Sequence, residues 1–162
     1  MLHHPIFTAG YGNLGFQRYI ELLESNRITH IVDIRSIPYS TYWTEFRREN
    51  LEAMVPAVGM KYVYMGDTLG ASQACAPESD KLAKKRYEIG QRKLIDAASS
   101  DERVICLMCG CAKPEACHRS TPLGDNLVSK GAQILHLMAD GRVINQIQIL
   151  KPKYVTQDAL FE

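Results

Sequence analysis

The segment Val104-Ile-Cys-Leu-Met-Cys-Gly-Cys-Ala-Lys-Pro-Glu-Ala-Cys-His-Arg119 begins with five apolar residues and then gathers three more cysteines, a histidine and an arginine. A short, continuous apolar run is typical of a strand that is buried on both faces of a parallel sheet. The loop after such a strand lies at the carboxyl edge of the sheet, where α/β proteins bind their ligands. The segment therefore predicts both a fold class and the place of a site.

Four more apolar runs alternate with amphipathic stretches of helical spacing. The strands are predicted over Ile6–Ala9, His30–Ile34, Tyr62–Met65, Val104–Met108 and Ile134–Met138. This alternation predicts a three-layer α/β fold, with a mostly parallel five-stranded sheet and helices on both faces. We expect residues 1–162 to form a single domain, in which residues 139–162 are an edge extension containing a strand or hairpin over 142–150.

The composition narrows the class of protein. The 162 residues are 46% hydrophobic and 23% charged, which is typical of one globular domain. A net charge of +1 indicates no extended nucleic-acid or membrane surface. No apolar stretch is long enough to span a bilayer, and the first residues lack the features of a secretory signal. We expect a cytoplasmic protein with reduced cysteines and no membrane partner.

The segment Gly10-Tyr11-Gly12-Asn13 directly follows the first predicted strand. Glycines allow the backbone to approach a ligand closely, which makes Gly10, Tyr11 and Asn13 candidates for substrate binding. The alternative is a tight turn in which Asn13 caps the next helix. Because no third glycine stands at the spacing of a dinucleotide fingerprint, no nicotinamide or other cofactor is predicted.

The segment Asp33-Ile34-Arg35-Ser36 closes the second predicted strand. Strand alternation sends Asp33 and Arg35 to the same side. They could form an ion pair that anchors the loop, or Asp33 could orient an arginine fork toward an anionic substrate. Ser36 and Arg47 are further candidates for substrate binding. The aromatic residues between them could stack bases or simply pack the loop onto the domain; they are Tyr39, Tyr42, Trp43 and Phe46.

The cysteine-rich segment permits a metal site or thiol chemistry. Cys106 lies inside a predicted strand and faces away from Cys109, so the Cys-x-x-Cys spacing is not expected to bind zinc. A zinc site made of Cys109, Cys111, Cys117 and His118 remains as an alternative, but no metal is predicted.

Thiol chemistry would use the second part of that segment. Cys117 is expected to precede or open a helix, where backbone N–H groups, together with Arg119, would lower the pKa of its thiol. That helix is predicted to begin near Thr121 as the N-cap, since Pro122 fits a first turn. Cys117 and His118 could instead be a packed apolar residue and a loop cap.

An ordered set of motifs resembles the family known as domain of unknown function 488. The motifs are Thr8-x-Gly10-Tyr11-x-Asn13, Val32-Asp33-x-Arg35-Ser36-x-Pro38, Tyr62-Val63, Leu69-Gly70, Leu107-x-Cys109 and Pro114-x-x-Cys117-His118-Arg119. The resemblance extends over about residues 8–138. It implies a compact α/β domain in which the Asp-x-Arg-Ser and Cys-His-Arg segments share one site, and it implies no established reaction. Cys111 stands where the resemblance implies a glutamate, so a step using that acid would be absent or would use a thiol.

These observations predict an enzyme of unassigned reaction that acts on a phosphate-, nucleotide- or nucleic-acid-like anion. Arg35, His118 and Arg119 would bind or polarise the anion, and Cys109 or Cys117 would be the nucleophile or line the pocket. The carboxyl ends of the first, second and fourth strands are expected to be neighbours lining one cleft. One alternative is a zinc-stabilised interaction domain. Another is a non-catalytic nucleic-acid-binding module that uses the aromatic loop with Arg47, Arg48, Lys84, Lys85 and Arg86.

Overall fold

The apolar runs are strands in the structure, a computed structural model that describes residues 4–149. Each of the five predicted strands is present, with its ends displaced by no more than one residue. A sixth strand follows them near the end of the described residues. The strands are β1 (Ile6–Gly10), β2 (His30–Asp33), β3 (Lys61–Tyr64), β4 (Ile105–Cys109), β5 (Ile134–Leu137) and β6 (Val143–Asn145).

Helices occupy the connections between these strands. The α-helices are α1 (Phe16–Ser25), α2 (Arg48–Ala57), α3 (Gly66–Leu69), α4 (Ala71–Ala74), α5 (Lys81–Ala98), α6 (Leu123–Ser129) and α7 (Gln146–Ile149). Two short 3-10 helices cover Thr44–Phe46 and Pro114–Ala116. None of the helices within residues 4–149 combines the length and apolarity needed to cross a membrane.

The strands form one sheet in the order β3-β2-β4-β1-β5-β6. The first five strands are parallel, and β6 pairs antiparallel with β5 at the edge. The predicted edge strand over 142–150 is therefore present in part, because its second half is the helical turn α7 and residue 150 lies outside the described residues. Within residues 4–149 the sheet therefore consists of the five predicted parallel strands and one antiparallel edge strand.

Helices cover both faces of the sheet, which makes the domain three-layered. Tyr19 and Leu23 of α1 pack on one face together with Leu51 of α2. Leu94 of α5 and Leu127 of α6 pack on the other face. Strand β4 supplies both cores by alternation, with Ile105, Leu107 and Cys109 toward α5 and α6, and Cys106 and Met108 toward α1 and α2.

Two of the expected helix ends are wrong. The N-cap of α1 is Gly15 with φ 76°, not Asn13, because Leu14 donates its N–H to Tyr11 and delays the helix. Glycine suits this left-handed position. Helix α6 begins at Leu123 with Pro122 as its N-cap, one residue later than an N-cap at Thr121 would give. A backbone turn accounts for the delay, since Ser120 and Thr121 both donate to the carbonyl of Cys117.

Candidate functional site

The carboxyl ends of β2, β4 and β1 are adjacent in the sheet, as predicted. Gly10 lies beside Cys109 in the parallel register of β1 and β4, and Asp33 lies beside Met108 in that of β2 and β4. Tyr11 donates its N–H to the carbonyl of Cys109 just beyond the strands. The three loops that carry the predicted site residues therefore begin at one place on the sheet edge.

Asp33 and Arg35 form a buried, doubly hydrogen-bonded ion pair. Nε and Nη2 of Arg35 donate to the two carboxylate oxygens of Asp33 at 2.9 and 2.8 Å. The hydroxyl of Tyr62 also donates to Asp33, at 2.5 Å, and Nη1 of Arg35 makes a longer contact of 3.4 Å with the Tyr11 hydroxyl. Burial opposes the charge on Arg35, but the hydrogen bonds and charge of Asp33 raise its pKa overall. The ion pair is therefore present, and it is compatible both with anchoring of the loop and with orientation of Arg35 toward an anion.

This ion pair and the cysteines lie on opposite faces of the sheet. Tyr11, which contacts Arg35, belongs to the core beneath α1 and α2. Cys109 and Cys117 belong to the core beneath α5 and α6. The two segments approach each other where the imidazole Nε2 of His118 lies 3.1 Å from the carbonyl oxygen of Ile34, whose side chain belongs to the same core as Cys117. The two segments therefore share an edge of the sheet, with the Asp33–Arg35 pair on one side of it and the sulfurs of Cys109 and Cys117 on the other.

The expectation that Cys117 precedes or opens a helix is wrong. Cys117 ends the 3-10 helix Pro114–Ala116 in an extended conformation, with φ −127° and ψ 146°, six residues before α6 begins. Cys117 therefore does not lie at the N-terminus of α6. The groups that stabilise a thiolate at Cys117 are Cys109, His118 and the backbone N–H of Arg119.

Three cysteine sulfurs meet at the carboxyl end of β4. The Sγ atoms of Cys109 and Cys117 are 3.2 Å apart, and the Sγ atoms of Cys109, Cys111 and Cys117 all lie within 4.8 Å of one another. Cys109 and Cys117 are buried, whereas Cys111 is exposed. Cys106 is buried on the opposite face, as predicted, and takes no part in the cluster.

Arg119 is fully buried and places its guanidinium against this sulfur cluster. Nη1 lies 2.7 Å from the Sγ of Cys109 and also 2.7 Å from the carbonyl oxygen of Cys111. Nε donates to the hydroxyl of Thr8 at 3.1 Å, and Nη2 has no hydrogen-bond partner in the part of the chain that the structure describes. Within residues 4–149, no carboxylate forms an ion pair with this guanidinium. Since a buried charge is costly unless it is paired, a thiolate is the natural counter-ion.

The pKa values of Cys109 and Cys117 are shifted in opposite directions by their surroundings. The hydrogen bond from Cys109 lowers the pKa of Cys117, and burial opposes this effect. The hydrogen bonds from His118 and from the backbone N–H of Arg119 lower that pKa further. The same contacts with Cys111 and Cys117, together with burial, raise the pKa of Cys109 well above its ordinary value. The shifts have opposite directions in two sulfurs that are in contact, which favours a single thiolate on the pair beside Arg119.

The thiolate favours a charged His118. Burial opposes the imidazolium, but the hydrogen bond and charge of Cys117, followed by the carbonyls of Ile34 and Leu69, raise the pKa of His118 overall. Nδ1 faces the Cys117 sulfur at 3.8 Å, while Nε2 faces the Ile34 carbonyl. A thiol beside an imidazole is the pairing that enzymes use to activate a cysteine nucleophile.

A buried chain of hydrogen bonds holds Arg119 from behind, and the sequence motifs do not reveal it. The Thr8 hydroxyl, which accepts from Arg119, contacts Nδ1 of His136, and Nε2 of His136 contacts Oε1 of Gln146. Gln146 in turn donates to the carbonyl of Ser120 and accepts from the Ser120 hydroxyl. Burial and the charge of Arg119 lower the pKa of His136, although its hydrogen bond to Gln146 opposes this. A lowered pKa favours the neutral imidazole, which can accept a hydrogen bond from Thr8 and donate one to Gln146.

Gly10 and Ser36, both predicted to bind substrate, make contacts that hold the loops of the site in place. A Cβ at Gly10 would collide with the carbonyl of Cys111 and crowd Nη1 of Arg119, so glycine is required for the cysteine loop to pack against β1. The Ser36 hydroxyl accepts the N–H of Ser72 at 3.0 Å and thereby fixes the start of α4. Cys75 caps the C-terminal end of that helix.

A surface groove of about 520 Å³ exposes the thiol cluster to solvent. Cys117, itself only 7% exposed, lies in its wall beside His118. Helix α4, whose start Ser36 fixes, also contributes to the lining through Ala71. The complete lining is Ala71, Cys75, Cys111, Glu115, Ala116, Cys117, His118 and Thr121. Neither Arg35 nor Arg47 lines this groove.

The remaining candidates lie away from the thiols. Asn13 is exposed. Arg47 bonds the carbonyl of Ser40 and stacks over Tyr39, with 4.4 Å between the guanidinium carbon and the ring centroid. Phe46 is buried in a stack with Tyr11, whereas Tyr42 is 81% exposed. The aromatic loop therefore has one anchor in the core and an outer, solvent-facing part.

The three clustered sulfurs are the only group within residues 4–149 that brings at least three potential metal ligands together. Their donor set suits a thiophilic ion such as zinc. The guanidinium of Arg119, however, already lies against the Cys109 sulfur, and a metal there would add positive charge beside a buried cation. The residues therefore fit a shared thiolate better than a zinc ion.

Comparisons with other proteins agree with the motifs. No curated protein and no solved structure matches the chain. One family model, described as domain of unknown function DUF488, matches residues 15–121, which include the Asp-x-Arg-Ser segment, the sulfur cluster and Arg119. Because that match spans well over half of the chain, the protein belongs to the DUF488 family.

Proposed function

We propose that this protein is an enzyme that acts on an anionic, phosphate-, nucleotide- or nucleic-acid-like substrate, with the Cys117 thiolate as the nucleophile. The observation that carries the proposal is the 3.2 Å contact between Cys109 and Cys117 beside the buried Arg119. An arginine without a carboxylate partner favours an ionised sulfur, and an ionised sulfur is the reactive form of cysteine.

The groove provides the place for the substrate. His118 lines it next to Cys117, and a raised pKa favours the cationic form that would bind an anion or protonate a leaving group. Arg119 lies directly behind the sulfurs with one unpartnered Nη2, which adds positive potential. In this proposal Arg119 stabilises the nucleophile, while Asp33 and Arg35 hold the neighbouring loop and add charge from the other face.

The proposal includes a compartment. A thiolate nucleophile must stay reduced between turnovers, and thiols persist in the cytoplasm, where glutathione and thioredoxin maintain them. A cytoplasmic location is therefore part of the same hypothesis.

Protection of Cys117 from alkylation tests the substrate class. The folded protein is treated with iodoacetamide in the presence of inorganic phosphate, a nucleoside monophosphate or a short oligonucleotide, with sodium chloride at equal ionic strength as the control. We expect at least one phosphate-bearing anion to slow the alkylation of Cys117, as read by peptide mass spectrometry, and to slow it less in His118→Gln. Equal rates with every anion would overturn the anionic substrate.

The outer part of the aromatic loop supports a second candidate, a nucleic-acid-binding module without catalysis. Tyr42 is almost fully exposed and packs edge-on against Trp43, which is a suitable platform for a base. The basic residues offer less support, since Arg48 pairs with Glu52 and Lys84 with Glu78. Binding of a single-stranded oligonucleotide that falls steeply with salt and is lost in Tyr42→Ala would favour this function.

A further inference from the structure

Two thiols of the cluster are already in contact within the reduced protein. Sγ of Cys109 and Sγ of Cys117 are 3.2 Å apart, and a disulfide needs about 2.0 Å. Side-chain movement of about 1 Å would close that gap, which is small on the scale of side-chain adjustments. The two residues lie on one side of the sheet, at the end of β4 and in the turn that follows.

We propose that Cys117 is oxidised by hydroperoxides and that Cys109 then resolves the product to an internal Cys109–Cys117 disulfide. The inference rests on the Cys117 nucleophile of the proposed function, and it adds a second substrate class, small hydroperoxides, that needs no anion recognition. Hydrogen peroxide is small enough to reach a sulfur that lies in the wall of the groove and is only partly exposed.

The first step oxidises the sulfur of Cys117. Its thiolate attacks one oxygen of the hydroperoxide, so that an S–O bond forms and the O–O bond breaks. The sulfur loses two electrons, and the other oxygen leaves as hydroxide or alkoxide and takes a proton to become water or an alcohol. His118, whose Nδ1 faces the same sulfur, is the nearest proton donor. Cys117 is then a neutral sulfenic acid.

The second step uses Arg119. Once Cys117 is a neutral sulfenic acid, the negative charge it shared is lost, and Cys109 is the sulfur in direct contact with the guanidinium. Arg119 therefore favours ionisation of Cys109, whose thiolate attacks the Cys117 sulfur. The S–S bond forms, the S–O bond breaks, and the hydroxide takes the proton that Cys109 released. Two thiols and one hydroperoxide thus give a disulfide, one water and one water or alcohol.

Cys109 fits the resolving role better than the other nearby thiols. Cys111 belongs to the cluster but is exposed, and Arg119 contacts its carbonyl oxygen rather than its sulfur. Cys75 lines the same groove and lies outside the cluster of three sulfurs. These two cysteines provide matched controls, because each can be changed to serine while both members of the proposed pair are kept.

The test treats the reduced, full-length protein with hydrogen peroxide and maps its disulfides by mass spectrometry of a non-reduced digest. We expect a Cys109–Cys117 disulfide in the native chain and in Cys75→Ser and Cys111→Ser. In Cys109→Ser we expect a sulfenic acid at Cys117 that dimedone traps. A disulfide that joins Cys111 or Cys75 to Cys117, or a Cys117 that remains a free thiol, would overturn the proposal.

The same experiment separates this inference from the proposed function. Disulfide mapping requires no anion, and its main readout uses the native chain, so it does not depend on whether Cys109→Ser folds. If the disulfide forms while no anion protects Cys117 from iodoacetamide, the peroxide chemistry stands and the anionic substrate fails. If anions protect Cys117 and no disulfide forms, the anionic substrate stands and the peroxide chemistry fails.

Discussion

Nη1 of Arg119 lies 2.7 Å from the sulfur of Cys109, and this contact takes the place of the carboxylate that a buried guanidinium ordinarily has. Nε of Arg119 donates to the Thr8 hydroxyl, and Nη2 has no hydrogen-bond partner among residues 4–149. The charge of Arg119 therefore faces a sulfur, whereas that of Arg35 at the same edge faces the Asp33 carboxylate. The ionisation state of the thiols and the stability of the domain are linked through Arg119.

The pH dependence of alkylation should distinguish Cys117 from the other thiols. Its lowered pKa means that the thiolate persists as the pH falls, so Cys117 should still react with iodoacetamide well below about 8.5, the pKa of an ordinary thiol. Cys111, with its pKa lowered to about 7 by the hydrogen bond from Cys109, should slow at an intermediate pH. Peptide-resolved mass spectrometry gives each rate. A Cys117 that stays unreactive at every pH would contradict a nucleophilic role.

Replacement of Arg119 should destabilise the domain and raise the pKa of the thiols. In Arg119→Gln the shared thiolate loses its cation, and removal of one partner of a buried charge pair costs about 3–5 kcal/mol. Arg119→Lys is the matched control, since it keeps the charge and loses the planar fork, and it should be less destabilised. Urea unfolding measures both. Wild-type stability in Arg119→Gln would show that the sulfurs are not ionised.

The ion pair on the other face can be tested in the same way. Asp33→Asn should leave Arg35 as an uncompensated buried charge and lower the free energy of unfolding by about 3–5 kcal/mol. Tyr62→Phe removes a single hydrogen bond to the same carboxylate and should cost about 1 kcal/mol. Equilibrium urea unfolding of both variants gives the comparison. If both variants cost the same, Asp33 would not be acting as the counter-ion of Arg35.

Gly10 should tolerate no side chain. A Cβ there would collide with the backbone of the cysteine loop, which cannot move aside without displacing Cys111, and overpacking of this kind costs about 1–3 kcal/mol. Gly110→Ala is the control, because its Cβ would meet only the hydroxyl end of Tyr11 at 3.1 Å. Thermal unfolding and the alkylation rate of Cys117 should both change more in Gly10→Ala. Equal effects would show that the loop is not held against β1.

We expect no stoichiometric zinc in the purified protein. Three sulfurs are close enough to share an ion, but the adjacent Arg119 disfavours a second cation. Metal analysis after purification without added metal is the measurement. About one zinc per chain, lost when Cys109 or Cys117 is changed to serine, would contradict the expectation and identify the ligands.

The strands and the place of the site could be predicted from the sequence because both are local signals. Apolar runs such as Val104–Met108 are typical of strands buried on both faces of a parallel sheet, and this run predicted the ends of β4 to within one residue. The glycine, charged and cysteine residues that follow the runs predicted the site at the carboxyl edge. The capping errors at Asn13 and Thr121 have a different cause, since backbone turns that no residue pattern reveals postponed both helices.

The surroundings of the site could not be predicted, because they depend on the register of distant strands. Thr8 and His136 are 128 residues apart in the chain and meet only through the pairing of β1 with β5. Tyr62 reaches Asp33 only because β3 pairs with β2. Strand alternation also places Arg35 and Cys109 on different faces once the strand order is known, which the sequence motifs alone do not reveal.

The hydrogen bonds behind Arg119 affect where this domain can be cut for laboratory expression. The family model ends at residue 121, but the partners that hold Thr8 and Arg119 extend to His136 in β5 and Gln146 in α7. A fragment trimmed to the family boundaries would begin after β1 and end before β5, and it would lack Thr8 as well as the histidine behind it. Fragment boundaries are therefore better chosen to include β1 and α7, so that the thiol site retains its support.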